Sequence, residues 1–194
     1  ARAKREFNCR SEVVKGQEPQ FDYGIITCAM RMFNSHFSPY YEKLFSTLSF
    51  SDADKILRQA AVELARGVVE VRDKRGIPVV AFDLAGQEDG YPAGDFKEAY
   101  DWIHKNFVHK TVHAGEAYGA ESIFQAITDL HADRLGHAYY LFDTNKVQQK
   151  TITDKQAYID KIVNYVAEKR VTVEVCLTSN MQTNPDIKDI KNHS

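Results

Sequence analysis

The chain has 194 residues, of which 43% are hydrophobic and 27% charged, and its formal net charge is −2. This composition is globular and excludes a disordered or collagen-like chain. The near balance of charges argues against a nucleic-acid or anionic-membrane partner. No apolar run reaches the ~20 residues that span a bilayer, and the polar first residues predict no secretory signal.

The cysteine content predicts a reducing environment. Cys9, Cys28 and Cys176 are an odd number of thiols and form no Cys-x-x-Cys pair. Cys28 and Cys176 lie in apolar, strand-like runs, where small thiols are commonly buried. A disulfide framework is therefore not expected, and a cytoplasmic location fits best.

Five short apolar runs rich in β-branched residues predict strands. They cover residues 24–30, 78–84, 110–114, 133–138 and 171–177. Several are apolar on both faces, which is typical of strands in a parallel sheet covered by helices.

Helical patterns fill the intervals between these runs. A helix is predicted from an N-cap at Ser51 to about Lys74, and further helices over 95–107, 120–130 and 154–170. The second of these carries four apolar residues at helical spacing: Phe96, Tyr100, Ile103 and Phe107. The alternation of strands and helices predicts an α/β fold built of right-handed βαβ units. Its parallel sheet would be either doubly wound or a barrel.

Candidate functional groups lie where the predicted strands end, as is usual in parallel α/β folds. These ends carry Arg31 and the segments 83–88, 113–116, 136–137 and 178–180. No Gly-x-Gly-x-x-Gly or P-loop follows a strand, which argues against dinucleotide or nucleoside-triphosphate binding. No Gly-x-Ser-x-Gly elbow for a nucleophilic serine occurs either.

His113 and Glu116 suit metal-assisted hydrolysis. A neutral imidazole binds zinc well, and a carboxyl group three residues further on can transfer protons beside the metal. His137, at the next strand end, could orient the attacking hydroxide. Structural alternatives stay open on the residues alone: each histidine could be a hydrogen-bonded structural residue, and Asp83 could be a buried carboxylate that ties down neighbouring loops.

Five blocks of sequence resemble the adenosine deaminase family. They are GIITCAMR (24–31), VVAFDLAGQE (79–88), KTVHAGE (110–116), RLGHAY (134–139) and VEVCLTSNMQT (173–183). The blocks follow the family's order, and Asp-Leu-Ala-Gly, His-Ala-Gly-Glu and Arg-Leu-Gly-His in succession are the specific part. The resemblance implies a (β/α)8 TIM-type barrel that holds one Zn²⁺ ion and hydrolytically removes the 6-amino group of a purine.

The resemblance also implies a role for each matching site residue. His113 would be a zinc ligand, and Glu116 would donate a proton to purine N1. His137 would position and help activate the hydroxide that attacks C6. Gly86 would let the purine N3 edge approach the backbone, a contact that a side chain would prevent. The implied substrates are small-molecule purine nucleosides, adenosine and 2′-deoxyadenosine, and the product is inosine with ammonia.

The family pattern is incomplete in these residues. Neither its His-x-His pair nor the aspartate-rich motif after the last strand occurs, so the other zinc ligands are expected in missing segments. The matching blocks correspond to roughly strands 3 to 7 of the eight. We therefore expect residues 1–194 to be a single domain, a partial barrel that cannot close. One histidine is too few ligands for catalytic zinc, so we expect this piece alone to be inactive.

The sequence leaves other functions open. Adenine and AMP deaminases share the His-Ala-Gly-Glu logic, although the absence of an obvious phosphate-binding cluster favours the nucleoside. A non-catalytic purine-binding module and a metal-dependent hydrolase of another amide or ester are further alternatives. Residues 32–51 resemble an insertion, which would form a lid or a contact surface.

Overall fold

The computed structural model describes residues 23–184, 187–189 and 191, and its centre is one parallel β-sheet. The five strands follow one another across the sheet in chain order. Their bounds are Ile25–Met30 (β1), Val79–Ala85 (β2), His109–Ala114 (β3), Arg134–His137 (β4) and Thr172–Glu174 (β5). The predicted alternation of strands and helices is confirmed.

Six α-helices and three short 3₁₀ turns connect and follow the strands in the described residues. The helices are Pro39–Thr47 (α1), Ala53–Arg75 (α2), Lys97–Lys105 (α3), Ala120–Thr128 (α4), Lys155–Lys169 (α5) and Leu177–Thr183 (α6). The 3₁₀ turns are Ser35–Phe37, Ala93–Phe96 and Thr144–Lys146. None of the helices in this part of the chain combines the length and the apolar character needed to cross a membrane.

The strand order identifies the sheet as part of a (β/α)8 barrel. A doubly wound sheet reverses its strand order at a switch point, whereas a barrel adds each strand beside the previous one. Every strand pair here is parallel and consecutive. Right-handed crossovers in such a sheet place all connecting helices on one face. The prediction of a partial barrel is therefore confirmed, and the doubly wound alternative is wrong.

The hydrophobic core lies between the convex face of the sheet and the helices. Large apolar side chains from both layers are fully buried there: Phe82, Leu84, Val112, Leu135, Ile103, Ile123 and Ile159. Tyr100 of α3 packs edge-on against Phe82, with 5.4 Å between the ring centroids, and its hydroxyl donates to the Thr111 carbonyl at 2.9 Å. Each such side chain contributes about 1.5–3 kcal/mol of burial free energy, which holds β2, β3 and β4 in register.

Three local expectations are wrong. The N-cap of α2 is Asp52 rather than Ser51. Phe107 is 92% exposed because α3 ends at Lys105 and Phe107 adopts a left-handed φ of 58°, so that it leaves the buried face of the helix. β5 is shorter than predicted because the chain is already helical at Leu177.

The expectation of buried thiols is also wrong. Cys28 is exposed because it lies on the open concave face of the sheet, and Cys176 is half-buried at the start of α6. Sγ of Cys28 lies 3.6 Å from Oδ2 of Asp83. Although the residue as a whole is exposed, surrounding atoms partly desolvate the thiol group, and this effect, followed by the Asp83 carboxylate, raises the pKa of Cys28 to about 12. Both cysteines are free thiols, and Cys9 lies outside the described residues.

The segment over residues 32–51 forms a small aromatic unit after the carboxyl end of β1. The ring centroid of Phe33 lies 4.0 Å from that of Tyr41 and 5.8 Å from that of Phe45. Helix α1 buries none of its residues, so its aromatic side chains pack mainly against one another. That this segment is a lid or a contact surface stays a prediction.

Candidate active site

The first feature of the site is a hydrogen bond between neighbouring strands. Asp83 near the end of β2 is buried, and its Oδ1 lies 3.1 Å from Nδ1 of His113 in β3. A carboxylate only accepts hydrogen bonds, so in the neutral form of His113 Nδ1 carries the proton and Nε2 keeps a free lone pair. This hydrogen bond raises the pKa of His113 above its ordinary value, and burial opposes the shift.

A glycine on the next strand makes room for the His113 ring. Gly136 of β4 is the register partner of His113. A Cβ atom on Gly136 would lie 3.1 Å from Cγ of the His113 ring, closer than an ordinary van der Waals contact. The ring therefore lies directly over the backbone of β4, which any larger residue at this position would prevent.

His137 ends β4 in a conformation that L-residues rarely adopt. Its φ is 70°, and that of the following Ala138 is 48°. The ring is buried, with Nδ1 against Oδ1 of Asn180 in α6 and Nε2 3.6 Å from Oε2 of Glu116. An amide oxygen accepts, so Nδ1 donates to Asn180 and Nε2 is turned towards Glu116. Backbone strain of this kind concentrates at functional sites.

The four site residues predicted from the sequence line one cavity of about 460 Å³ at the carboxyl ends of the strands. These residues are Gly86, His113, Glu116 and His137. The ring centroids of the two histidines are 5.3 Å apart. Gly86 has a φ of 96°, and a Cβ atom there would lie 3.3 Å from the Met30 side chain. The volume is within the range of small-molecule sites.

Glu88, a buried carboxylate to which the sequence analysis assigned no role, organises the same region. Glu88 is 4% exposed. Its carboxylate accepts backbone N–H groups from Gly115, Glu116, Ala117 and Tyr118 and the hydroxyl of Ser122. Of the two acids at this strand end, Glu88 rather than Asp83 ties neighbouring loops together. The one feature of the sequence that pointed to Glu88 was its position two residues after Gly86.

Arg31 and Asn180 are the other site residues whose roles were missed. The Arg31 side chain is fully buried and donates to the carbonyl oxygens of Tyr91 and of His113, the second at 2.6 Å. Burial lowers the pKa of Arg31, and the nearby Glu88 carboxylate opposes that shift. The guanidinium group thus links the end of β1 to the end of β3, and Asn180 does the same for α6 and β4.

The described residues offer one candidate metal ligand rather than a complete metal site. No three histidine, cysteine or carboxylate side chains in that part of the chain are grouped to hold a metal ion. His113 nevertheless has the features of a single zinc ligand: a free Nε2, a side chain 30% exposed, and a carboxylate that orients the ring through Nδ1. Metal-binding histidines generally have such a partner.

The sheet order defines the fold class as part of a (β/α)8 barrel, in which functional side chains gather at the carboxyl ends of the strands. The family model described as adenosine deaminase matches residues 49–193. The chain therefore belongs to the adenosine deaminase family, as its sequence blocks predicted.

Individual relatives agree with this membership. Adenosine deaminase 1 of Streptomyces coelicolor is 38% identical over 128 residues, which cover 66% of this chain and 31% of the relative. The chain thus spans about a third of the length of the curated relative that it matches.

Solved structures share the fold. The adenine deaminase of Arthrobacter aurescens superposes with a TM-score of 0.57 at 18% identity, over 88% of this chain and 39% of that one. An amidohydrolase of Burkholderia ambifaria, described with bound Zn, has a TM-score of 0.56 at 18% identity, over 88% of this chain and 36% of that one.

Proposed function

We propose that the full-length protein catalyses the zinc-dependent hydrolytic deamination of adenosine, and of 2′-deoxyadenosine, to inosine and ammonia. The observation that carries the proposal is the convergence of Gly86, His113, Glu116 and His137 on one cavity at the strand ends. These groups supply a metal ligand, two proton-transferring side chains and an exposed backbone edge. Family membership supports deamination of a purine as the reaction.

Zinc fits the donor atoms that the chain provides. His113 would hold the ion through Nε2, and Asp83 would orient the ring through Nδ1. The remaining ligands would come from outside the described residues. When bound, the metal supplies a water molecule whose pKa is lowered towards ~7, so that a nucleophile exists at neutral pH.

Two side chains of this chain would move the protons. Glu116 donates a proton to N1 of the purine, which makes C6 electrophilic. Nε2 of His137 would orient the attacking water and accept its proton, and its separation of 3.6 Å from Oε2 of Glu116 supports the proposal that both groups act on the same purine ring. The backbone N–H of Gly86 donates to purine N3. Water adds at C6 and ammonia leaves, which produces inosine.

The lining of the cavity supports a nucleoside rather than AMP. The acidic lining residues in the described part of the chain are Glu88, Asp89 and Glu116, the last of which would be protonated before it donates to N1, and no lysine or arginine is among the lining residues. Phosphate recognition usually depends on Arg or Lys. A phosphate group would therefore meet an unfavourable field here, whereas a neutral sugar would not.

The test is a comparison of substrates with the full-length protein. We expect ammonia release from adenosine and 2′-deoxyadenosine, with kcat/KM at least about tenfold above that for adenine or AMP. A preference for AMP or adenine would contradict the nucleoside assignment. Purine binding without ammonia release, in protein that contains stoichiometric zinc, would instead favour the non-catalytic binding module.

Two broader assignments belong to the same proposal. We take residues 1–194 as one domain of the partial barrel. We also place the protein in the cytoplasm, which is supported by the free thiols of Cys28 and Cys176.

A further inference from the structure

We infer that Glu88 is a positioning residue for the proposed reaction: its carboxylate holds the loop that carries Glu116 at a fixed position relative to the loop that carries Gly86. The inference rests on the proposed function. It concerns a side chain that would not touch the reacting atoms and would act through the backbone of Glu116.

The contacts of Glu88 are concentrated on one short segment. Oε1 accepts from Gly115 N at 2.9 Å and from Ser122 Oγ at 2.6 Å. Oε2 accepts from three successive backbone nitrogens at 3.0, 2.7 and 3.1 Å: those of Glu116, Ala117 and Tyr118. A carboxylate buried to this degree is stable only with such a set of donors. Glu88 therefore satisfies the amides of an entire loop and is itself satisfied by them.

The loop over residues 115–118 depends on this carboxylate because it lies beyond the end of β3 and has left the strand ladder. Its carbonyl groups have other partners: Tyr140 N–H donates to the Gly115 carbonyl at 2.9 Å, and Lys146 Nζ donates to the Ala117 carbonyl at 3.0 Å. The N–H groups point the opposite way, to Glu88. The backbone around Glu116 is thus held on both sides: Tyr140 and Lys146 bind the carbonyl groups of the loop, and Glu88 binds its N–H groups.

The loop that carries Gly86 is held by a hydrogen bond that does not involve Glu88. Arg31 N–H donates to the Ala85 carbonyl at 2.8 Å, which continues the pairing of β1 with β2 up to Gly86. A change at Glu88 should therefore displace the Glu116 loop more than the Gly86 backbone. Proton donation would suffer, while the backbone contact to the purine would remain. The signature of this role is a loss in kcat with little change in KM.

The experiment uses Glu88→Gln in the full-length, zinc-loaded protein. The amide keeps the size of the side chain but turns one acceptor atom into a donor that faces backbone N–H groups. We expect kcat for adenosine to fall about 10- to 100-fold, KM to stay within about threefold and zinc content to be unchanged. Amide hydrogen exchange over residues 115–118 should be faster, a readout that does not depend on activity.

Two further variants separate positioning from stability. Glu88→Asp keeps the charge on a shorter side chain, so we expect losses of kcat and of exchange protection smaller than those of Glu88→Gln. Ile162→Val removes a methyl group from a buried position in α5 away from the site. It should lower the melting temperature and leave kcat within about twofold.

The inference is overturned if Glu88→Gln keeps the wild-type kcat, if its KM rises as much as its kcat falls, or if exchange over 115–118 is unchanged. Should Glu88→Gln fail to fold, a wild-type kcat in Glu88→Asp, with exchange protection lost, overturns it as well. A wild-type protein that does not deaminate adenosine would contradict the proposed function instead. The exchange measurement would still show whether Glu88 holds the loop over residues 115–118.

Discussion

Oδ1 of Asp83 and Nδ1 of His113 lie 3.1 Å apart across the pairing of β2 with β3, so the carboxylate determines which nitrogen of the imidazole is free. The free Nε2 is the atom through which His113 would bind zinc. An oriented ring loses less freedom when a metal binds, and carboxylate partners of this kind typically account for 10- to 100-fold in metal affinity. Asp83 is thus expected to contribute to the metal site without touching the metal.

Asp83→Asn should weaken zinc binding by about 10- to 100-fold, because an amide holds the Nδ1 proton less strongly than a carboxylate does. The measurement is competition with a chromophoric chelator in the full-length protein. Asp89→Asn is the matched control, since it removes the same charge from an exposed residue at the same cavity. Equal zinc affinity in wild type and Asp83→Asn would contradict the assigned role.

Glu116→Gln should lower kcat by about 10²- to 10⁴-fold, because the amide cannot donate a proton to purine N1 as a carboxylic acid does. Zinc content should match wild type, since Glu116 is not assigned as a ligand. Steady-state kinetics and metal analysis of one preparation test both statements. Glu98→Gln, an exposed change on α3, should behave like wild type. Near wild-type turnover in Glu116→Gln would exclude it as the proton donor.

Gly86→Ala should raise KM for adenosine by about tenfold or more, because the new Cβ would obstruct the approach of the purine edge. The variant should also lose about 1–2 kcal/mol of unfolding free energy, since its φ of 96° is unfavourable for alanine. Kinetics and urea unfolding measure the two effects. Gly67→Ala is the control, because Gly67 lies in α2 and a Cβ atom added there would meet no neighbouring atom within 4 Å. That substitution should be neutral or stabilising.

The pair of Lys110 and Asp133 should make stability depend on pH. Nζ of the buried Lys110 lies 2.9 Å from Oδ2 of Asp133, which also accepts the Lys110 backbone N–H at 2.9 Å. Burial would raise the pKa of Asp133, but its hydrogen bonds to Lys110 outweigh burial and lower that pKa. A lowered pKa in the folded state stabilises the protein above the unfolded pKa of ~3.9, and this contribution is lost as the pH falls through the folded value.

Asp133→Asn should therefore lower the unfolding free energy at pH 7 by about 1–2 kcal/mol, a range that allows for the partial exposure of Asp133. The difference from wild type should shrink at pH 3, because the contribution of the lowered pKa declines once the pH falls below the unfolded value of ~3.9. Urea unfolding at the two pH values measures it. Asp54→Asn, at an exposed position, serves as the control. A difference that is the same at both pH values would contradict the assigned pKa direction.

The local sequence pattern was sufficient to predict which segments form strands and helices, but not the residues at which these elements end. The buried strands around Phe82 and Val112 were predictable because a sheet covered by helices needs continuous apolar runs. The ends of α3 and β5 were not, because Phe107 leaves its helix through a left-handed φ and Leu177 already starts one. Cys28 was misjudged because the apolar pattern of a strand does not reveal whether the opposite face is covered.

The sequence by itself determined the family and the order of strands and helices, and it predicted Gly86, His113, Glu116 and His137 as candidate site residues, since these inferences depend on local periodicity and on short strings of residues. Only the tertiary structure decided what orients them. Three hydrogen-bonded contacts do this, and each joins residues between 27 and 43 positions apart in the chain. Glu88 binds the loop of Glu116, Asp83 binds His113, and Asn180 binds His137. The physical reason is that a buried polar group must find its partner wherever packing places one, and packing across a parallel sheet joins strand ends that are far apart in the sequence.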